Sequence, residues 1–343
     1  MRMTQGGGRH SRRPASSKRD WHRRPVALQI VVVKSSCLGD RKQLAVDNQS
    51  IEMTCGEQAR WAIVQEATAI KAGNVHPKAR FEDMDYAAMI VAGEAIGKAI
   101  DRGVDSTLGP LVLECTLAML DAVGTNTSLG TILLLAPLIR CERLHGRKIL
   151  TDMLLEDACG DPVRRALAET TATDCACIYR AIAASKPGGM GVSDTMDVLG
   201  PPPDSIVAAM CLAAPYDDVA RQYCHGYPEV VRYAKLLLSP EFLAMSLTDA
   251  IRYLQVVILS ERVDSLIARK CGPSVGLEVQ SMATSLLQSS HYGSEFFEMR
   301  WQALDTFLRC DGHRRNPGTT ADLIAAALFM ASPERIGFGR QGQ

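Results

Sequence analysis

Gly130-Thr131-Ile132-Leu133-Leu134-Leu135-Ala136-Pro137-Leu138-Ile139-Arg140-Cys141-Glu142-Arg143-Leu144 holds the most apolar run of this 343-residue chain, and its reading decides the fold. The uncharged part, Ile132 to Ile139, is far short of the roughly 20 apolar residues that cross a bilayer. It is interrupted by Pro137 and runs into Arg140, Glu142 and Arg143. Such a segment is a core helix, apolar on most of its faces. Working outward, the same pattern repeats. Upstream, Leu111–Val123 is a second strongly apolar helix, and Met84–Ile100, rich in Ala and Ile, is a third with Asp83 placed to cap it. Met53–Ile70 has helical spacing at Ala59, Ile63, Ala67 and Ile70 and stops at Gly73.

Downstream, Asp161-Pro162 is a helix start, with a capping side chain and a proline at the first helical position, for a helix reaching about Ala184. The segments Lys186-Pro187-Gly188-Gly189-Met190-Gly191 and Gly200-Pro201-Pro202-Pro203 make one long loop region, a lid or a plain connection. Helices resume across 206–214, 217–224, 230–238, 247–263, 274–289, 294–308 and 320–330. No run of alternating β-branched residues marks a sheet. The expected fold is all-α: a single-domain multi-helix bundle over 53–337, preceded by a disordered basic extension over 1–52.

That extension is read from charge. Residues 1–52 carry 11 Lys/Arg against 4 Asp/Glu, which leaves 27 basic and 34 acidic residues in the body. An Arg-, Gly- and Ser-rich, acid-poor stretch does not build a core, and no small-residue cleavage pattern follows the apolar patch Val26–Val33. A transit peptide shares the same bias, and an upstream start codon, with Met53 as the true start, is the simplest account. The acidic body argues against nucleic-acid binding driven by net charge. Eleven scattered cysteines without a Cys-x-x-Cys pair read as reduced, packed thiols in a cytoplasmic protein.

Three polar, glycine-bearing loops sit where apolar helices begin or end: Lys71-Ala72-Gly73-Asn74-Val75, Asn126-Thr127-Ser128-Leu129-Gly130 and Asn316-Pro317-Gly318-Thr319-Thr320-Ala321-Asp322-Leu323. Backbone N–H groups at helix starts are ready donors to an anion, so loops of this kind gathered around one pocket suit a phosphorylated ligand. Each residue also has a plainer reading. Lys71 is a phosphate contact or a lysine favourably placed at a helix C-terminus. Asn126 and Thr127 face a ligand, or Thr127 is an N-cap. Asp83 binds metal, acts as a base or caps a helix. Thr319-x-x-Asp322 has the form of a capping box.

Asp264 and Arg269, five residues apart, would diverge by about 140° on one straight helix. The expected chain break near Val263 removes that conflict. Of the histidines beside these loops, His76 is a donor to adenine or a surface histidine before Pro77, and His313 belongs to a solvated basic turn with Arg314 and Arg315.

The order Glu66…Lys71-x-Gly73-Asn74-Val75, Asp83-Met84, Gly124-x-Asn126-Thr127-x-x-Gly130, Asp264-Ser265-Leu266-Ile267-Ala268-Arg269-Lys270-x-Gly272 and Asn316 to Leu323 resembles the triphosphoribosyl-dephospho-CoA synthase family over most of Glu66–Phe329. The resemblance implies that a ribose hydroxyl of dephospho-CoA displaces adenine from ATP, giving the precursor of a prosthetic group carried by an acyl carrier protein. It implies ATP as substrate and Mg²⁺ as companion ion, with Glu66 and Asp83 as metal carboxylates and Asp83, Asp264 and Asp322 as catalytic candidates. Lys71, Gly73, Asn74, Asn126, Thr127, Gly130, Arg269, Lys270, Asn316 and Gly318 would then bind the nucleotide. The chain departs from the family pattern at Ser128 and Leu129, where His-Lys is usual. It departs again at Phe81-Glu82, where a histidine is usual, and at Ala72, where proline is. These changes leave room for another acceptor in a cofactor pathway such as one-carbon metabolism, or for a binder without turnover.

The chemistry itself asks for a carboxylate near the developing oxocarbenium, a base for the hydroxyl and a proton donor for adenine. The triphosphate asks for Mg²⁺ and for cationic or backbone donors.

Overall fold

The computed structural model describes residues 53–155, 161–191 and 195–332; the basic segment 1–52 lies outside them. Among the described residues there are helices throughout, and the single extended feature is an isolated bridge between His76 and Ala79. The expected all-α architecture is what forms. The first half comprises α1 (Cys55–Thr68), α2 (Tyr86–Arg102), α3 (Leu108–Val123), α4 (Leu129–His145), α5 (Lys148–Leu155), α6 (Asp161–Ala168) and α7 (Ala172–Ser185). After the loop region come α8 (Ile206–Ala213), α9 (Asp218–His225), α10 (Pro228–Leu237), α11 (Pro240–Leu243) and α12 (Leu247–Glu261). The chain closes with α13 (Ser265–Cys271), α14 (Pro273–Ser289), α15 (Glu295–Arg309) and α16 (Gly318–Ala331).

Local chemistry sets the ends. Thr54 and Glu57 form a reciprocal capping box at the start of α1. Asp85, rather than Asp83, caps α2 by accepting from Ala88 N at 2.8 Å, so the Asp83 side chain is not spent on the helix. The single helix expected from Asp161 to Ala184 is two, because Thr171 and Asp174 build a second capping box at the start of α7. The expected break near Val263 does occur: α12 ends at Glu261, and Asp264 caps the new helix α13.

α16 is the axis of the molecule. From Leu323 to Ala331 every residue is buried, the pattern of a helix surrounded by protein. It packs against α1, α4, α10 and α12. α4 is buried almost as fully despite Pro137, which has no N–H to offer the carbonyl of Leu133. The buried hydroxyls of Tyr223 and Tyr227 donate to that carbonyl at 2.7 and 3.4 Å, so the interruption leaves no buried acceptor unsatisfied. A smaller cluster around Leu259, Phe297, Trp301 and Leu304 joins α12, α14 and α15. No helix among the described residues is long and apolar enough to cross a membrane.

The cysteines depart from expectation at one place. Cys211 of α8 and Cys224 of α9 are joined in a disulfide, while the other seven described cysteines are free. The two short helices pack face to face, and that proximity, absent from the linear spacing, is what pairs the thiols.

Candidate active site

A cleft of about 970 Å³ opens where the first turns of α4 and α16 meet. Its walls are completed by the α1–α2 connection, α13, the loop after α7, and α8. Neither α4 nor α16 has a side-chain cap from its N-cap residue, Ser128 or Pro317. Two helix starts therefore bring their positive dipole ends to one cavity. Asn126 orients the α4 turn by accepting from Leu129 N at 3.1 Å, so the capping role considered for Thr127 falls to its neighbour. Thr319-x-x-Asp322 is not a capping box, because both residues lie inside α16.

Glu66 and Asp322 form the acidic floor. Asp322 Oδ1 accepts from Thr131 Oγ1 at 2.6 Å. Gly130 makes this approach possible: a Cβ there would sit 2.0 Å from Asp322 Oδ2. Burial pushes the Asp322 carboxyl up to about 8, the charges of Glu66 and Asp264 push the same way, and the Thr131 hydrogen bond pulls back only part of the shift. No arginine or lysine pairs with it among the described ion pairs. Burial thus favours the protonated form of Asp322.

Of the residues expected at the site, Glu66, Asn74, Asp83, Asn126, Thr127, Gly130, Arg269, Lys270, Asn316, Gly318 and Asp322 line this one cavity. Three do not. Lys71 is fully buried behind the floor, its Nζ 2.9 Å from Glu66 Oε1 and bonded to the carbonyls of Glu66 and Ala69. It is neither a phosphate contact on the wall nor a solvated lysine. Gly73 takes φ of +69° in a turn packed on Leu308 and Pro317, and its N–H donates to Asp305. Asp264 is consumed by structure: Oδ1 accepts from Leu266 N and Ile267 N, and Oδ2 from Thr320 N and Oγ1. One carboxylate thereby caps α13 and tethers the first turn of α16.

The rim carries the remaining charge. Arg269 is ion-paired to Asp217, the N-cap of α9. Lys270 lies beside it, its pKa lowered by burial although Asp83 opposes the shift. Gly188 and Gly189 of the loop after α7 lie on these two side chains, where a Cβ at Gly188 would come within 2.7 Å of Lys270 Cε. That loop is therefore part of the wall. Across from it, Tyr179, Ile182, Val198, Ile206, Met210 and Ala213 make an apolar side, and Tyr179 Oη donates to the Met196 carbonyl at 2.8 Å.

His76 is buried outside the cleft, where desolvation and the nearby Arg309 and Lys71 lower its pKa to about 4. His313 lies in the basic turn with Arg314 and Arg315, but its ring lines the cleft: it stacks on Phe81 with ring centroids 4.6 Å apart and lies 3.0 Å from Asp83. The sequence signal for it was its place three residues before Asn316, which its basic neighbours obscured.

A helical body with dipole ends, amides and carboxylates converging on one cleft has the makings of a nucleotide-handling transferase. The chain belongs to the CitG family, ATP:dephospho-CoA triphosphoribosyl transferase, whose model matches residues 52–337. It is an enzyme of that class, with ATP and dephospho-CoA as the family's substrates. In fold it is similar to a crystal structure from Archaeoglobus fulgidus assigned as a triphosphoribosyl-dephospho-CoA synthase. The two are 22% identical with a TM-score of 0.52, over 72% of this chain and 97% of that one. No curated protein matches the sequence.

Proposed function

We propose that this cleft moves the 5-triphosphoribosyl group of ATP to a ribose hydroxyl of dephospho-CoA and releases adenine. The observation that carries the reading is the meeting of two helix starts, α4 and α16, with the buried Asp322 carboxyl in one cavity. The triphosphate belongs at the helix starts, within reach of Asn126, Thr127, Asn316, Gly318 and the Lys270 ammonium, because backbone N–H groups and a cation both favour phosphate oxygens. The uncharged Leu129 on the wall, with Ser128 buried beside it, leaves more of this work to the backbone.

Breaking the bond between the anomeric carbon and adenine puts an electron pair on the base and positive charge on the ribose. Asp322, whose burial favours the protonated form, can give its proton to the departing adenine. The carboxylate left behind then stabilises the oxocarbenium. The attacking hydroxyl must shed a proton in the same event, which restores the balance.

Magnesium fits as a companion of the triphosphate. Among the described residues no three His, Cys, Asp or Glu side chains gather to cage a metal, and Mg²⁺ is ordinarily held by one or two carboxylates plus substrate phosphates. Glu66, on the cleft floor, is the carboxylate that would share it, and the ion would neutralise phosphate charge there. Asp83 is engaged by His313.

The test is incubation of the protein with ATP, Mg²⁺ and dephospho-CoA, followed by mass spectrometry. Free adenine and a conjugate that retains all three phosphates are expected in equal amounts. ADP or pyrophosphate in place of adenine rejects the reading.

A further inference from the structure

The Phe81–His313–Asp83 arrangement stands at the end of a chain of amide hydrogen bonds that begins on a backbone group. Gln255, fully buried, pairs with both polar groups of Ala72: its Oε1 accepts from Ala72 N, and its Nε2 donates to Ala72 O, each at 2.8 Å. A backbone N–H cannot exchange places with its carbonyl, so this pair settles which end of the Gln255 amide is which. The same Nε2 donates to Asn74 Oδ1 at 2.7 Å, which orients the Asn74 amide. Asn74 Nδ2 then donates to Asn316 Oδ1 at 2.6 Å, which orients the next. Asn316 Nδ2 is left facing His313 Nε2 at 3.4 Å.

An N–H₂ group cannot accept. His313 Nε2 must therefore be the bare nitrogen, and the proton of the neutral ring sits on Nδ1, facing the Asp83 oxygens at 3.0 and 3.1 Å. The amide chain from Ala72 and the Asp83 carboxylate thus favour the same tautomer of this rim histidine. Phe81, buried beneath it, holds the ring plane, with an interplanar angle of 16°. The contact at Nε2 is long and weak, which a stronger donor entering the cleft would displace.

We propose that His313 is the general base of the transfer reaction, with Asp83 as its orienting partner. The proposal rests on the triphosphoribosyl transfer described above, in which Asp322 serves the departing adenine and the attacking hydroxyl needs a separate proton acceptor. As the ribose hydroxyl of dephospho-CoA bonds to the anomeric carbon of ATP, its O–H bond breaks and the proton passes to Nε2. The bond from the anomeric carbon to adenine breaks, its electron pair leaves on the base, and adenine takes the Asp322 proton. The imidazolium is stabilised by the Asp83 carboxylate; its proton passes to solvent, and Asp322 is reloaded from solvent. No net proton is gained or lost.

The experiment compares wild type, His313→Ala and His313→Gln with ATP, Mg²⁺ and dephospho-CoA, with and without added imidazole, following adenine release. Both variants are expected to lose about 10²–10⁴-fold in kcat with little change in KM for ATP. Imidazole is expected to restore part of the rate in His313→Ala, where space is left for it, and none in His313→Gln. Turnover of His313→Ala within about tenfold of wild type, or a loss that imidazole does not touch, overturns the assignment.

Nitrogen-15 NMR of the labelled wild-type histidines tests the tautomer without any variant: a protonated Nε2 and bare Nδ1 on neutral His313 also overturns it. Inactive wild type would count against the transferase reading itself; active wild type with an unimpaired His313→Ala would count against the base alone.

Discussion

Thr131 Oγ1 donates to Asp322 Oδ1 across 2.6 Å, tying the first turn of α4 to the first turn of α16. The two helices that open onto the cleft are thus stitched together at the carboxyl proposed to serve the leaving group, and the consequences can be measured separately.

Asp322 ties stability to pH. Burial pushes its carboxyl up to about 8 from an ordinary value of 3.8, so between those values the folded chain tends to hold a proton that the unfolded chain has released. The stability Asp322 permits is intact below about 4 and declines as pH rises toward 8. Asp322→Asn keeps the shape and removes the titration. Its melting temperature, taken relative to wild type, is expected to climb between pH 5 and pH 8.5, by on the order of a few degrees. A difference that stays flat over that range would show that the carboxyl is not raised.

Gly130→Ala places a methyl group 2.0 Å from Asp322 Oδ2. The carboxyl must move or the α4 turn must shift, at a cost of about 1–3 kcal/mol by comparison with other overpacked sites. Denaturant melts check the loss, and kcat is expected to fall as well because the carboxyl is displaced. Unchanged stability together with unchanged kcat would mean that the approach is looser than drawn.

Lys71→Met separates a structural cation from a substrate contact. The substitution leaves Glu66 buried without its ion-pair partner, and losses of about 3–5 kcal/mol follow from that kind of change. Urea unfolding is the measurement. A variant as stable as wild type, but with a raised KM for ATP, would restore the phosphate-contact role that the sequence suggested.

Asp264→Ala removes the acceptor for the N–H groups of Leu266, Ile267 and Thr320 in two helices at once. One lost cap costs about 0.5–2 kcal/mol, so a combined loss of about 1–4 kcal/mol is expected in urea melts. The loss should exceed that of Asp85→Ala, which uncaps α2 alone. Equal losses would refute the shared cap.

Much of this arrangement was legible in the chain. Helix periodicity and breakers gave the all-α body, and the offset between Asp264 and Arg269 foretold the break before α13 because helix geometry is nearly rigid. Polar loops at helix ends pointed to the cleft, since backbone donors at helix starts suit an anionic ligand. What was hidden depends on packing in three dimensions. Lys71 looks solvated until Glu66 closes over it. Asp264 looks catalytic until Thr320 arrives from 56 residues away. Cys211 and Cys224 meet because two short helices fold back on one another, and His313 matters through Asp83 and Phe81, more than 200 positions earlier.

The burial of α16 also bears on how this enzyme fails. Asp322 sits in the opening turn of a helix whose next nine residues, Leu323–Ala331, are the innermost part of the molecule. Amides there should be among the last to exchange with deuterated solvent, opening only when the entire body unfolds. Heat inactivation and loss of structure would then coincide, and no partly melted form would keep a working carboxyl.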